Sequence, residues 1–167
     1  MGEAVAVVAT KTQAELKKAI SLVKVPYEPL PVYTDLNSAM KENAVSISND
    51  GNIAGSFENT KGDLNKGFNE SDFILERDYE VPHQEHAYME PDANFSCYVD
   101  GILTLYTSSQ SAFNDKRITA HALGIEEDKI RVISATVGGA FGGKDGHMTQ
   151  IFGALVSYIT GLPAKIV

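Results

Sequence analysis

Residues 138–145 read Gly-Gly-Ala-Phe-Gly-Gly-Lys-Asp, with an apolar β-branched stretch before them (Lys129 to Val137) and apolar residues at helical spacing after them (Met148 to Tyr158). A strand that runs through a glycine-rich turn into a helix is a place where backbone N–H groups can converge on an anion. The run holds four glycines in six residues, Gly138 to Gly143, which removes the Cβ atoms that would keep a bulky ligand from the backbone. A wide turn with no ligand is the other reading of the same residues.

The run also approaches the P-loop pattern. Gly138, four residues, Gly143 and Lys144 fit it, but Asp145 stands where Ser or Thr would meet a magnesium ion, and a carboxylate there repels a triphosphate. Phe141 suits a ligand with an extended organic body better than a bare phosphate. Lys144 reads as either a phosphate ligand or an ordinary surface lysine.

Three further positions carry candidate chemistry. Gln110 follows Ser108 and Ser109 at a strand-to-helix junction, where its amide can donate to an oxygen held before the helix; a solvated first-turn glutamine is the plainer alternative. Asp145 reads equally as a substrate contact or as a helix N-cap. Gln84, His86 and Glu90 suggest a metal site or triad, but no nucleophile accompanies them, and alternation along a strand edge explains them as well.

The elements that would position these residues are legible in outline. Residues 3–9 and 23–27 read as strands, separated by a helix that begins with the capping box Thr12-Gln-Ala-Glu15 and aligns Leu16, Ala19, Ile20 and Val23. Short helices are expected at 35–42 and after Asp63, with a polar turn at 49–52. Strands are expected near 73–81, 93–99 and 102–107, the last two joined by the hairpin signal Asp100-Gly101. A helix capped by Ser109 runs to Gly124; then come the 129–137 strand, the glycine loop, a helix over 148–160 ended by Gly161 and Pro163, and a final strand from Lys165. The expected class is α+β, with mixed or antiparallel sheet and packed helices. The chain reads as starting and stopping inside larger units.

Composition narrows the function. A chain of 167 residues, 43% hydrophobic, has room for one packed domain and little more. A net charge of −8 argues against a nucleic-acid face. No apolar run reaches the ~20 residues that span a bilayer, so a soluble, cytoplasmic protein is expected. Cys97 is the single cysteine, which excludes an internal disulfide and any iron–sulfur cluster held by this chain alone. It reads as a half-buried apolar side chain. The four histidines show no zinc spacing.

Val137-Gly-Gly-Ala-Phe-Gly-Gly-Lys-Asp145 resembles the pterin-side loop of the xanthine dehydrogenase and aldehyde oxidase family of molybdenum hydroxylases. Gly2 to Ala9, Val25 to Pro31, Lys61 to Phe68, Gln84 to Pro91 and Thr107 to Gln110 resemble further signatures of that family, in its order. The resemblance implies the C-terminal remnant of a hammerhead-like α/β domain at 1–45, a connecting segment at 46–72, and the first part of a molybdopterin-binding domain at 73–167. It implies a molybdenum–molybdopterin cofactor, with FAD and [2Fe-2S] clusters on partner subunits or domains. The family's reaction hydroxylates an electron-poor carbon of an N-heterocycle, such as a purine, or of an aldehyde, with oxygen from water. The glutamate base is expected in sequence after Val167, so no catalytic residue is assigned within this chain, and the isolated chain is expected to be inactive.

By the same resemblance, Gln110 hydrogen-bonds the oxo group of the metal centre, and Phe141 and Gly142 lie against the cofactor. Asp145 takes the place of a substrate-contacting glutamate, one methylene shorter. The segment from Gln84 to Glu90 is implied to have a conformational role. Two other readings compete: a non-catalytic truncated or split module without cofactor, and a phosphate-binding α/β domain.

Overall fold

The computed structural model describes residues 3–49 and 51–167. The start of the segment at Gly2 and the Asp50 position of the 49–52 turn lie outside the described residues. The chain divides into two compact units, one formed by the residues up to Val23 with Pro82–Val167, the other by Lys24–Val81.

The first unit holds the sheet. Strands β1 (Asn94–Val99), β2 (Ile102–Thr107), β3 (Ile130–Ser134) and β4 (Ala164–Ile166) lie in the order β3-β2-β1-β4. β1 pairs antiparallel with β2 and β4, while β2 pairs parallel with β3, so the sheet is mixed. Asp100 and Gly101 both have positive φ, 50° and 78°, which lets a two-residue turn follow the strands' twist and sets Val99 opposite Ile102. The parallel pair needs a crossover, supplied by α4 (Ala112–Leu123) and a 3-10 turn at Glu127–Lys129.

α4 and α5 (Met148–Thr160) close over the sheet. The core joins Leu103 and Leu105 of β2 with Ala120, Ile130 and Ala154, and Tyr98 meets Tyr158 edge-on at 5.2 Å. Alternation along β2 turns Leu103, Leu105 and Thr107 inward together. The buried stripe of α5 is Gln150, Gly153, Ala154 and Ser157, small or polar residues at helical spacing. A Cβ on Gly153 would collide with the Asn94 side chain, so the missing side chain sets how close α5 comes to β1. Gln150 Nε2 donates to Thr107 Oγ1 (2.8 Å), tying α5 to β2. Both helices stop on glycines with left-handed φ, Gly124 at 66° and Gly161 at 67°.

α1 (Gln13–Leu22), also in this unit, starts with the expected capping box: Glu15 N–H donates to Thr12 Oγ1 (3.3 Å), and Thr12 N–H donates to Glu15 Oε2 (3.1 Å). Its apolar face is only partly covered; Leu16 and Ala19 are half-buried, and Ile20 and Val23 are exposed.

In the second unit, Asp35 caps α2 (Leu36–Ala39) by accepting from Ser38 N–H (2.8 Å), and Asp63 caps α3 (Leu64–Glu70) by accepting from Lys66 N–H (2.9 Å). Asn52 fastens the intervening loop, donating to the carbonyls of Ala39 (2.7 Å) and Val45 (3.1 Å).

Several expectations fail. Residues 3–9, 23–27 and 73–81 form no strands. Their β-branched residues favour extended backbone, but a strand exists only where a neighbour supplies a ladder. The strand expected at 129–137 is confined to Ile130–Ser134, the length over which β2 pairs with it. Ser111, not Ser109, is the N-cap of α4, while Ser109 Oγ accepts from the Ser111 N–H at 2.9 Å, two residues earlier. Asp145 does not cap α5; His147 holds that position with φ 55° and no side-chain cap bond.

Candidate cofactor-facing site

The glycine loop leaves β3 and enters α5, as its flanking residues predict. Its backbone is bent by positive φ at Gly139 (97°), Phe141 (54°) and Gly142 (93°). Gly138 and Gly143 serve a different purpose. A Cβ on Gly138 would lie 2.9 Å from Glu90 Cβ, and one on Gly143 would run into the Tyr88 ring and come within 3.0 Å of His86 Cγ. Those two glycines let the segment from His86 to Glu90 lie directly under the loop.

Glu90 and Lys144 are the fastening. Lys144 is buried, 1% exposed, with its ammonium on Glu90 Oε2 and 5.1 Å from the Tyr88 ring centre. Glu90 Oε2 also accepts the Gly138 N–H at 2.8 Å. Both readings of Lys144 therefore fail: it is not at the surface, and its charge is committed to a carboxylate. The strand-edge reading of residues 84–90 fails too, since no strand forms there and Ala87 has φ 53°. No group of three or more metal-ligating side chains occurs among the described residues.

The Lys144 ammonium, with the Gly138 N–H, holds the Glu90 carboxyl below its ordinary range. A carboxyl lowered on folding contributes stability above its unfolded value and loses it as pH falls through the folded value. Glu90→Gln should therefore be less stable than wild type near neutral pH, and the two should converge in acid. Denaturation midpoints measured across pH check this; a gap independent of pH would contradict it.

Gln110 is the residue whose geometry says most. Its Oε1 accepts two loop N–H groups, from Gly142 at 3.0 Å and Lys144 at 3.3 Å. The oxygen is thereby fixed against the loop, and Nε2 is left as an outward donor. Gln110 is nevertheless exposed, so the contact fixes the oxygen of a side chain that still meets solvent. Phe141 is 76% exposed, which rules out a core plug and presents an apolar face beside the loop. A Cβ on Gly142 would find only His86, at 3.7 Å, so the chain itself leaves the space over that glycine open. The N–H groups of Gly139, Ala140 and Phe141 donate to no acceptor among the described residues.

Asp145 lies at the loop's end, its side chain 56% exposed and Oδ1 at 3.6 Å from His147 Nε2. Cys97 is free and half-buried on β1, as expected. Among the described residues, no helix is long and apolar enough to cross a membrane.

A mixed sheet with two covering helices, carrying a glycine loop fastened by Glu90 and Gln110, defines an α+β domain. The family described as molybdopterin cofactor-binding domain matches residues 46–167, and the chain belongs to that family. It is 36% identical over 167 residues to a probable xanthine dehydrogenase subunit of Bacillus subtilis, covering 99% of this chain and 22% of that protein. It is 34% identical over 167 residues to the nicotinate dehydrogenase large molybdopterin subunit of Eubacterium barkeri, covering 99% of this chain and 39% of the other. Among solved structures, it resembles the aldehyde oxidoreductase of Desulfovibrio gigas with a TM-score of 0.77 at 26% identity, over 92% of this chain and 17% of that one. The chain thus spans well under half the length of these relatives.

The residues present fit a molybdenum–pterin group. Gln110 offers a side-chain donor, and the N–H groups of Gly139 and the exposed Phe141 have no acceptor among the described residues. Beyond its chain neighbours, no described atom would come closer than 3.7 Å to a Cβ on Gly142. Glu90, Lys144 and the buried pair Asp115 and His147 escaped sequence reasoning as supports of this loop. Their partners lie 54 and 32 residues apart, and no local pattern joins them.

Proposed function

We propose that this chain forms one wall of the molybdopterin site in an oxidoreductase of the xanthine dehydrogenase and aldehyde oxidase type. The substrate class would be an N-heterocycle such as a purine, or an aldehyde. The observation that carries this reading is the orientation of Gln110, whose oxygen is tied to the loop so that its N–H bonds face away from it.

When bound, the cofactor would supply two-electron oxidation of an electron-poor carbon, with water as the oxygen source. Gln110 Nε2 would donate to an oxygen of the metal centre. Phe141 and Gly142 would line the approach, the ring against the organic body and the glycine leaving room for it. Asp145, at the exposed end of the loop, would face the substrate with its carboxylate. A proton-accepting base would come from outside these 167 residues. The division at 1–45, 46–72 and 73–167 belongs to the same proposal, as do the partners: the remainder of a molybdopterin subunit, and FAD and [2Fe-2S] components.

One loop and one amide cannot enclose a pterin, because a ligand of that size normally has most of its surface buried. Molybdenum and pterin analysis of the isolated chain should find neither in stoichiometric amount. The chain within its longer polypeptide should carry both. Absence of molybdenum and pterin from that longer protein would defeat the reading.

A further inference from the structure

Behind the loop lies a pair of buried polar side chains that the cofactor reading does not use. His147 is only 8% exposed at its side chain, with Nδ1 2.5 Å from Oδ1 of the fully buried Asp115 on α4. Its Nε2 lies 3.0 Å from Asn114 Nδ2 and 3.6 Å from Asp145 Oδ1.

The place of the proton on the neutral ring follows from Arg117. A guanidinium only donates, so its 2.6 Å contact fixes the Asn114 oxygen on Arg117 and turns the amide NH2 toward His147. Against an NH2 group, Nε2 must accept. The ring hydrogen of the neutral form therefore sits on Nδ1, donating to Asp115, whose second oxygen has no donor among the described residues.

A second proton can enter only at Nε2. There it opposes the Asn114 NH2, donor against donor, and attracts the Asp145 carboxylate. The charged groups facing the ring are Asp115 from α4 and Asp145 from the loop, while Arg117 stands one group away behind Asn114.

We propose that His147 is a positioning residue for Asp145. Protonated at Nε2, it exchanges Asn114 for Asp145 and closes the 3.6 Å separation to that carboxylate; neutral, it keeps Asn114 as its partner. The consequence for substrate rests on Asp145 facing substrate, but the proton-coupled movement stands without it.

The test is nitrogen and carbon NMR of the 167-residue chain, with Asp145→Asn as the variant. The expected spectra show the Nδ1–H tautomer at high pH and an Asp145 carboxyl carbon that shifts at the His147 midpoint. In Asp145→Asn the protonated Nε2 should lack its carboxylate partner, so its nitrogen-15 shift should differ from wild type. An Nε2–H tautomer in the neutral ring, an Asp145 carbon indifferent to protonation of the ring, or an unchanged Nε2 shift in the variant would each overturn the proposal. In the complete enzyme, Asp145→Asn should also flatten the pH dependence of KM. Unchanged KM with intact coupling in the spectra would count against the substrate reading, not against the coupling.

Discussion

Gln110→Ala should lower turnover of the complete enzyme by about 10²–10³-fold while leaving its molybdenum and pterin content close to wild type. The size follows from loss of one fixed donor in a water-poor site. The amide is fixed because its oxygen accepts the Gly142 and Lys144 N–H groups, so Nε2 is aimed before any ligand arrives. Alanine also frees those two N–H groups; water can replace the lost acceptor at the exposed Gly142, while the Lys144 N–H belongs to a buried residue, so some relaxation of the loop accompanies the loss. Metal analysis and steady-state turnover on the same preparation check both halves. Full activity in this variant would remove Gln110 from the site.

Gly142→Val should do the reverse, sharply reducing cofactor content. Two costs add at this position. Its φ of 93° is one that L side chains rarely adopt, and left-handed backbone costs roughly 1–2 kcal/mol even without β-branching. The side chain would also project into space bounded, within this chain, only by His86 at 3.7 Å. Gly142→Asn separates the two costs, since asparagine tolerates positive φ but still fills the approach. Both variants should lose cofactor if the space matters, and only the valine variant if backbone strain alone does. Normal metal loading in Gly142→Val would refute the close-approach argument.

The sequence exposed those features whose causes are local. The Asp100-Gly101 turn, the Thr12–Glu15 box, the helix start at Asp63, and the glycine stops at 124 and 161 all depend on residues within a turn of one another. The glycine loop was legible for the same reason, being one run between a strand and a helix. The strands expected at 3–9, 23–27 and 73–81 failed because pairing is a property of neighbours that propensity does not report.

At the site, the same division holds. Gln110 and Gly142 could be singled out from motif and resemblance, but their mutual hydrogen bond links residues 32 apart and became visible only in three dimensions. Lys144 shows the limit most clearly. In the sequence it follows two glycines and looks like a phosphate ligand or a surface charge; in the fold Glu90, 54 residues earlier, takes its ammonium. The loop thus reads as an anion cradle in sequence, and in structure as a backbone clamped from below and open above. Asp145 lost its N-cap role to His147 because the chain turns left-handed at residue 147, two positions later than the aspartate.

The central claim is that the Gln110 side-chain nitrogen faces the metal centre. Electron–nuclear double resonance on the paramagnetic molybdenum state of the complete enzyme, with glutamine side chains labelled with nitrogen-15, tests it most directly. The account predicts a nitrogen-15 coupling in the wild-type enzyme that disappears in Gln110→Ala at equal metal content. A wild-type spectrum without that coupling, or one in which the coupling survives the substitution, would contradict it.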